Sequence, residues 1–223
     1  MIWVTSDLHY NHKNLCRGVS TWENNEKTTR DFKTLEEMNN AIVNSINNCV
    51  KQDDELYFLG DWSFGGIESI YNFYKRVVCR NIHFIPGNHD NHIKNDKVLP
   101  NCKWGHHYNG FDDWFPTKDE PTMKDAPVCA RQLFNYLPEL TTITYNKQLI
   151  VMCHYPIEQW EEMDKGSLML HGHCHHNIDN CETNMKCRRM DVGIDWKEFR
   201  PYSLDEILEV MNKREFKKHI NKL

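Results

Sequence analysis

Along the 223 residues, short apolar runs alternate with longer stretches in which apolar side chains return every three or four positions. The runs at 2–5, 56–59, 82–85, 149–153 and 168–170 are too short for helices and predict buried strands. Leu35, Met38, Ile42, Val43, Ile46 and Val50 fall at helical spacing behind Thr34 and Glu37, the two residues of a capping box. A second helix follows Gly65 and Gly66 and carries Ile67, Ile70, Tyr71, Tyr74 and Val78; a third opens on the capping box Ser203 and Glu206, just after Pro201, with Leu204, Ile207, Leu208 and Met211 on one face. Strands alternating with helices predict an α/β fold, in which ligands gather at the carboxyl ends of the strands. The runs at 141–145 and 149–153, joined by Asn146, Lys147 and Gln148, predict a hairpin, hence a second or mixed sheet in the latter half. Residues 106–139 break the pattern: they are aromatic and acidic, contain Pro116, Pro121, Pro127 and Pro138, and lack periodicity. Irregular chain of that length inside a compact domain is usually functional, and we expect it to cap the site.

Each of the five runs leads into polar side chains that bind metals: Asp7-Leu8-His9, Gly60-Asp61, Gly87-Asn88-His89-Asp90, His154, and His171-Gly172-His173-Cys174-His175. At 39% hydrophobic the chain can bury one sizeable core, and no linker divides it, so a single domain over 1–223 is expected. With Asp7 on the first strand we expect no signal peptide, and no apolar stretch approaches the roughly 20 residues of a membrane span. Nine cysteines, odd in number and often within apolar runs, suit reduced thiols and a cytoplasmic location. The net charge of −5 is a poor match for a nucleic acid polymer, although a basic face can hide within an acidic total. Two divalent ions would bring the sum near −1 and focus positive field at the site, which favours a small anionic substrate.

Hydrolysing a phosphoester needs a hydroxide at neutral pH, screening of the phosphate and help for the departing oxygen, and two divalent ions about 3.5–4 Å apart supply the first two. Carboxylate, imidazole and amide oxygen suit Mn, Fe, Zn or Ni, with Mn the first choice. Asp-x-His, Gly-Asp, Gly-Asn-His-Asp, a lone His and Gly-His-x-His, in that order from 7 to 175, resemble the calcineurin-like metallophosphoesterase superfamily. The resemblance implies a four-layer α/β/β/α sandwich of two mixed sheets flanked by helices. It implies that Asp7, His9 and His175 hold one metal and Asn88, His154 and His173 the other, with Asp61 bridging. It leaves His89 free to stabilise or protonate the leaving oxygen, with Asp90 orienting it; an imidazole beside a carboxylate is a good general acid near neutral pH. The tail, Asp191 to Asp195 followed by Arg200 to Glu206, is similar to the closing strand and helix of small bacterial and phage members. One position departs: where many members carry a second acid three residues after the bridging Asp, this chain has Phe64.

Taken singly, the pieces have plainer readings. Asp7 and His9 could cap a turn, Gly87 and Asn88 could be one, and a lone His154 would more often be a satisfied core residue. His171, His173, Cys174, His175 and His176 could form a zinc site with Cys181 and Cys187, though no Cys-x-x-Cys pair is present. It is the ordered set that favours the dinuclear reading. His12, Asn88, His89 and Tyr155 are the expected substrate contacts; Trp62 and Trp160 are expected in the core. The expected reaction is in-line attack of hydroxide on a small nucleotide-type phosphodiester. Phosphomonoesterase and nuclease activities follow as alternatives, and a protein-binding scaffold, as in the retromer subunit with this fold, is the reading from another class.

Overall fold

A computed structural model describes residues 1–23, 28–103, 127–175, 187–196 and 198–214. Eleven strands occur there: β1 (Ile2–Thr5), β2 (Glu55–Leu59), β3 (Asn81–Ile85), β4 (Val98–Lys103), β5 (Pro127–Cys129), β6 (Asn135–Tyr136), β7 (Leu140–Tyr145), β8 (Gln148–Cys153), β9 (Leu168–His171), β10 (Arg189–Asp191) and β11 (Tyr202–Ser203). Helices α1 (Leu35–Cys49), α2 (Ile67–Arg76), α3 (Asn91–Lys94) and α4 (Leu204–Asn212) complete the frame.

One sheet has the order β11-β1-β2-β3-β6, parallel except for β11; the other has the order β10-β9-β8-β7, parallel except for the β7–β8 hairpin. Two mixed sheets with helices are therefore the α/β architecture expected. β4 and β5 pair with each other apart from both. Alternation along the strands assigns each side chain to a layer. Leu56, Phe58, Ile82 and Phe84 point to α1 and α2 and pack with Met38, Ile42, Ile46 and Phe73. Their neighbours Tyr57, Leu59 and Ile85 point the other way, to Ile150, Met152, Leu168 and Leu170 of the second sheet, and α4 adds Leu204, Ile207 and Met211. On the far face of the second sheet Val151, Cys153 and Met169 meet Ile157 and Trp160.

The two capping boxes form as the sequence predicts, with Thr34 and Ser203 accepting from the amides of Glu37 and Glu206. The hairpin turns through Asn146 and Lys147, both at positive φ. Helix α2 stops short of Val78 because the Asn47 side chain takes over its end, accepting from the Val78 amide and donating to the Arg76 carbonyl. Within the stretch read as an irregular insertion, 129–139 rejoins the core: Phe134 stacks on Phe84 at 4.7 Å and β6 extends the first sheet. Residues 104–126, with Trp104, Phe111, Trp114 and Phe115, lie outside the described residues. Cys16, Cys49, Cys79, Cys129, Cys153, Cys174 and Cys187 are free thiols. Among the described residues no helix is long and apolar enough to cross a membrane.

Candidate metal centre

The register brings the ends of β1, β2 and β3 level, with Thr5 opposite Phe58 and Leu59 opposite Ile85. Beyond those ends the loops stay paired. The Asp7 amide donates to the Gly60 carbonyl and the His9 amide to the Asp61 carbonyl, each at 3.0 Å; from the second sheet the Gly172 amide donates to the His154 carbonyl at 2.9 Å. Glycine allows the loops to come this close. A Cβ on Gly172 would lie 1.9 Å from Ser6 Oγ and 2.3 Å from Asp7 Oδ2, and one on Gly87 2.4 Å from Asp61 Oδ1.

All seven expected ligands meet where these loops meet. Donor atoms of Asp7, His9 and His175 lie within 4.8 Å of one another, as do those of Asp7, Asp61 and His154. Asp61 Oδ2 sits between the halves, 3.4 Å from His9 Nε2 and 3.5 Å from His154 Nε2. Asn88 Oδ1 lies 2.8 Å from His154 Nε2 and 3.0 Å from His173 Nδ1. His9 Nε2 and His175 Nε2 are 3.1 Å apart, and Asp7 accepts from the His173 amide through both oxygens. Asp7, His9, Asp61, His173 and His175, five of the seven, have φ between +46° and +68°. Only a few per cent of non-glycine residues adopt such values, and they concentrate at functional sites.

The donor set fits cations. His154 Nδ1 lies 2.8 Å from the Leu59 carbonyl, a group that only accepts, so the proton belongs on Nδ1 and a bare Nε2 faces the Asn88 oxygen. His175 Nδ1 meets Asp195 Oδ2 at 2.7 Å, which leaves its Nε2 facing His9. Acceptors facing acceptors at about 3 Å is the spacing of neighbouring ligands on one ion roughly 2.1 Å from each. Electrostatics favour the neutral, ligating form of His9 and His154 and the charged form of His175. Burial, with Asp191 and Asp61 nearby, pushes the Asp7 carboxyl well above the usual carboxylate range, and burial lifts Asp61 too. Burial pushes the His9 imidazole well below its usual value and brings His154 down to about 4. Burial acts the same way on His175, but its hydrogen bond to Asp195 and the charge of Asp7 reverse the result and raise it.

Sequence reasoning missed the support of this array. Asp195 is gripped by the buried Arg30 at 2.6 Å, and the same guanidinium donates to the carbonyls of Asp7 and Leu8. Asp195 lay within a stretch already read as closing the fold; nothing local marks Arg30. His89 is exposed, its ring 5.3 Å from that of His9, and its amide donates to Asp61 Oδ1. Asp90 is buried and its carboxylate accepts from the amides of Asp61, Trp62 and Gly87, so the hydrogen bonds of this side chain fix loops and not the His89 ring. Burial, with Asp61 close by, raises its pKa. The His12 ring lies 4.0 Å from Phe64 and 5.5 Å from His9, and burial lowers its pKa to about 4. Tyr155 stands at the other end, 4.9 Å from His173. Trp62 is fully buried and Trp160 packs on the outer face. His171 is buried, and its donor atom lies within 4.8 Å of those of Cys174 and Asp191; Cys181 and His176 lie outside the described residues.

This chain is similar to the uncharacterized protein MJ1445 of Methanocaldococcus jannaschii, 24% identical over all of this chain and 97% of that one. It is 23% identical to the gene 66 protein of Mycobacterium phage D29, over 95% of this chain and 96% of the other. In fold it is similar to the protein of unknown function AQ665 from Aquifex aeolicus, with a TM-score of 0.57 and 21% identity over 94% of this chain and 98% of that one. The family description calcineurin-like phosphoesterase matches residues 1–177. With that match spanning most of the chain and the ligand array at its strand ends, the protein belongs to the calcineurin-like phosphoesterase family.

Proposed function

We propose that this protein hydrolyses small, nucleotide-like phosphodiesters in the cytoplasm, using two divalent transition-metal ions, of which Mn is the first choice. One observation carries the reading: a buried Asp61 oxygen stands nearly equidistant from His9 and His154, each the member of a separate ligand group. Asp7, His9 and His175 would hold one ion, Asn88, His154 and His173 the other, with Asp61 shared. Bound there, the ions supply nucleophilic water at neutral pH and offset phosphate charge.

The chain's own residues do the rest. His89 stands beside His9, its ring 5.3 Å away, on a loop anchored to Asp61, and donates the proton to the departing oxygen. Asp90 holds that loop against the β2 loop, so His89 and Asp61 keep a fixed relation. Arg30 and Asp195 orient His175. Exposed aromatic rings flank both ends of the array, Phe64 on the His9 side and Tyr155 on the His173 side, which suits a phosphate with two organic arms better than a monoester. A net charge of −5 speaks against long nucleic acid. A complete ligand set speaks against a scaffold.

The test is metal content together with Mn-dependent rates on bis-p-nitrophenyl phosphate and p-nitrophenyl phosphate. We expect close to two ions per chain and faster turnover of the diester. A protein that neither carries nor responds to transition metal would overturn the reading; faster monoester turnover would replace it with a phosphatase.

A further inference from the structure

A pocket of about 270 Å³ opens beside the candidate centre on the His9 side, between the loop after β2 and the start of α3. Its floor is the backbone of Gly65 and Gly66, at φ of +96° and +90°, and Phe64 and Ile70 form its apolar wall. A Cβ on Gly65 would come within 3.1 Å of the Asn11 side-chain amide, whereas one on Gly66 would meet only His92 Nε2 at 3.9 Å, so it is the positive φ of both residues that favours glycine in the floor. Phe64 is 40% exposed, an apolar ring held toward solvent with one neighbour at 4.0 Å, His12, which itself lies 5.8 Å from the exposed Trp22. His89 is at the mouth, its ring 5.6 Å from Phe64.

The lining selects by chemistry. No Lys or Arg faces the pocket, and the one carboxylate there, Asp90, spends its oxygens on backbone amides. A cation finds no free carboxylate in it, and an anion finds only the imidazoles of His89 and His92. Asn91, His92 and Ser63 supply polar edges beside the apolar wall, a combination that suits a neutral, flat ring with hydrogen-bonding atoms on its rim. The volume falls below the roughly 300–1,000 Å³ of pockets that enclose drug-sized ligands, and so admits one ring system.

We infer that this pocket receives the leaving arm of the diester, a heteroaromatic ring of nucleobase type, and that Phe64 is the stacking platform that sets this preference. The inference rests on reading the centre as a diester hydrolase. The position of His89 fixes which arm enters: the group that protonates the departing oxygen stands between the array and the pocket.

The experiment compares Mn-loaded wild type with Phe64→Ala and Phe64→Tyr on bis-p-nitrophenyl phosphate and ethyl p-nitrophenyl phosphate, which share the leaving group and differ in the retained arm. We expect Phe64→Ala to raise KM about tenfold for both esters, the scale of one lost ring stack, with kcat within about twofold, and Phe64→Tyr to restore it. A rise for the bis-aryl ester alone would assign the pocket to the retained arm and overturn the inference, as would no change for either. Adenosine binding, followed by saturation-transfer NMR, separates this from the hydrolase reading because it needs no turnover. Binding lost in Phe64→Ala supports the ring site; binding by a protein without Mn-dependent hydrolysis would overturn the hydrolase reading and the leaving-arm assignment together. Hydrolysis of both esters with neither adenosine binding nor a Phe64 effect would overturn only the pocket.

Discussion

His89 and Asp90 are adjacent in sequence and opposite in circumstance, one ring open to solvent and one carboxylate buried under three amides. Truncating the first should therefore leave the array intact. His89→Ala is expected to retain two ions by elemental analysis and to slow esters with alkoxide leaving groups by about 10²–10⁴-fold, with a smaller loss on nitrophenyl esters; loss of metal would assign His89 a different role. Asp195 acts through others, orienting His175 and neutralising Arg30. Asp195→Ala should cost about 3 kcal/mol in urea denaturation, because it strands a buried guanidinium. It should also weaken metal binding about 10–100-fold in a titration, the usual loss when a partner of a ligating histidine is removed. Unchanged stability and affinity would show that Arg30 is satisfied by the carbonyls of Asp7 and Leu8 alone. The residues that meet at the candidate centre were legible in the sequence because each follows a strand end within a few residues. Arg30 and Asp195 were not, because their contact joins positions 165 residues apart and leaves no local pattern.

Elements whose stability is local were read most closely. Capping boxes and a two-residue turn declare themselves within four residues, so the starts of α1 and α4 and the β7–β8 hairpin appear where expected. The strand β6 did not. Two residues long, it is held by parallel pairing with β3 and by Phe134 in the core, and carries no periodicity of its own. Loops at the strand ends depend on backbone approach, which tests their geometry directly. Gly172→Ala would drive a methyl into Ser6 Oγ and Asp7, so we expect a loss of about 2 kcal/mol or more, together with weakened metal binding. A variant with native stability and two bound ions would mean that the β9 loop is free to shift.

Across the whole molecule, the candidate centre is the seam between the sheets. Asp7, His9, Asp61 and Asn88 come from loops of the first sheet, His154, His173 and His175 from loops of the second. Ions bound there would tie the sheets together as well as serve chemistry. Removing metal with a chelator should lower Tm by about 10 °C in calorimetry, taking about 4 kcal/mol of linkage at a thousandfold excess over Kd and 2–4 °C per kcal/mol for a chain of this size. An unchanged Tm would mean that the sheets are joined by their apolar faces alone. The left-handed backbone of Asp7, His9, Asp61, His173 and His175 adds a last consequence. Each such residue costs on the order of 1 kcal/mol relative to glycine, which adopts the same angles without strain. Glycine at these positions would relieve that strain, but at Asp7 and Asp61 it would also remove the carboxylates that accept from the amides of His173 and His89. Side chains with metal-binding chemistry thus sit on backbone that would otherwise favour glycine.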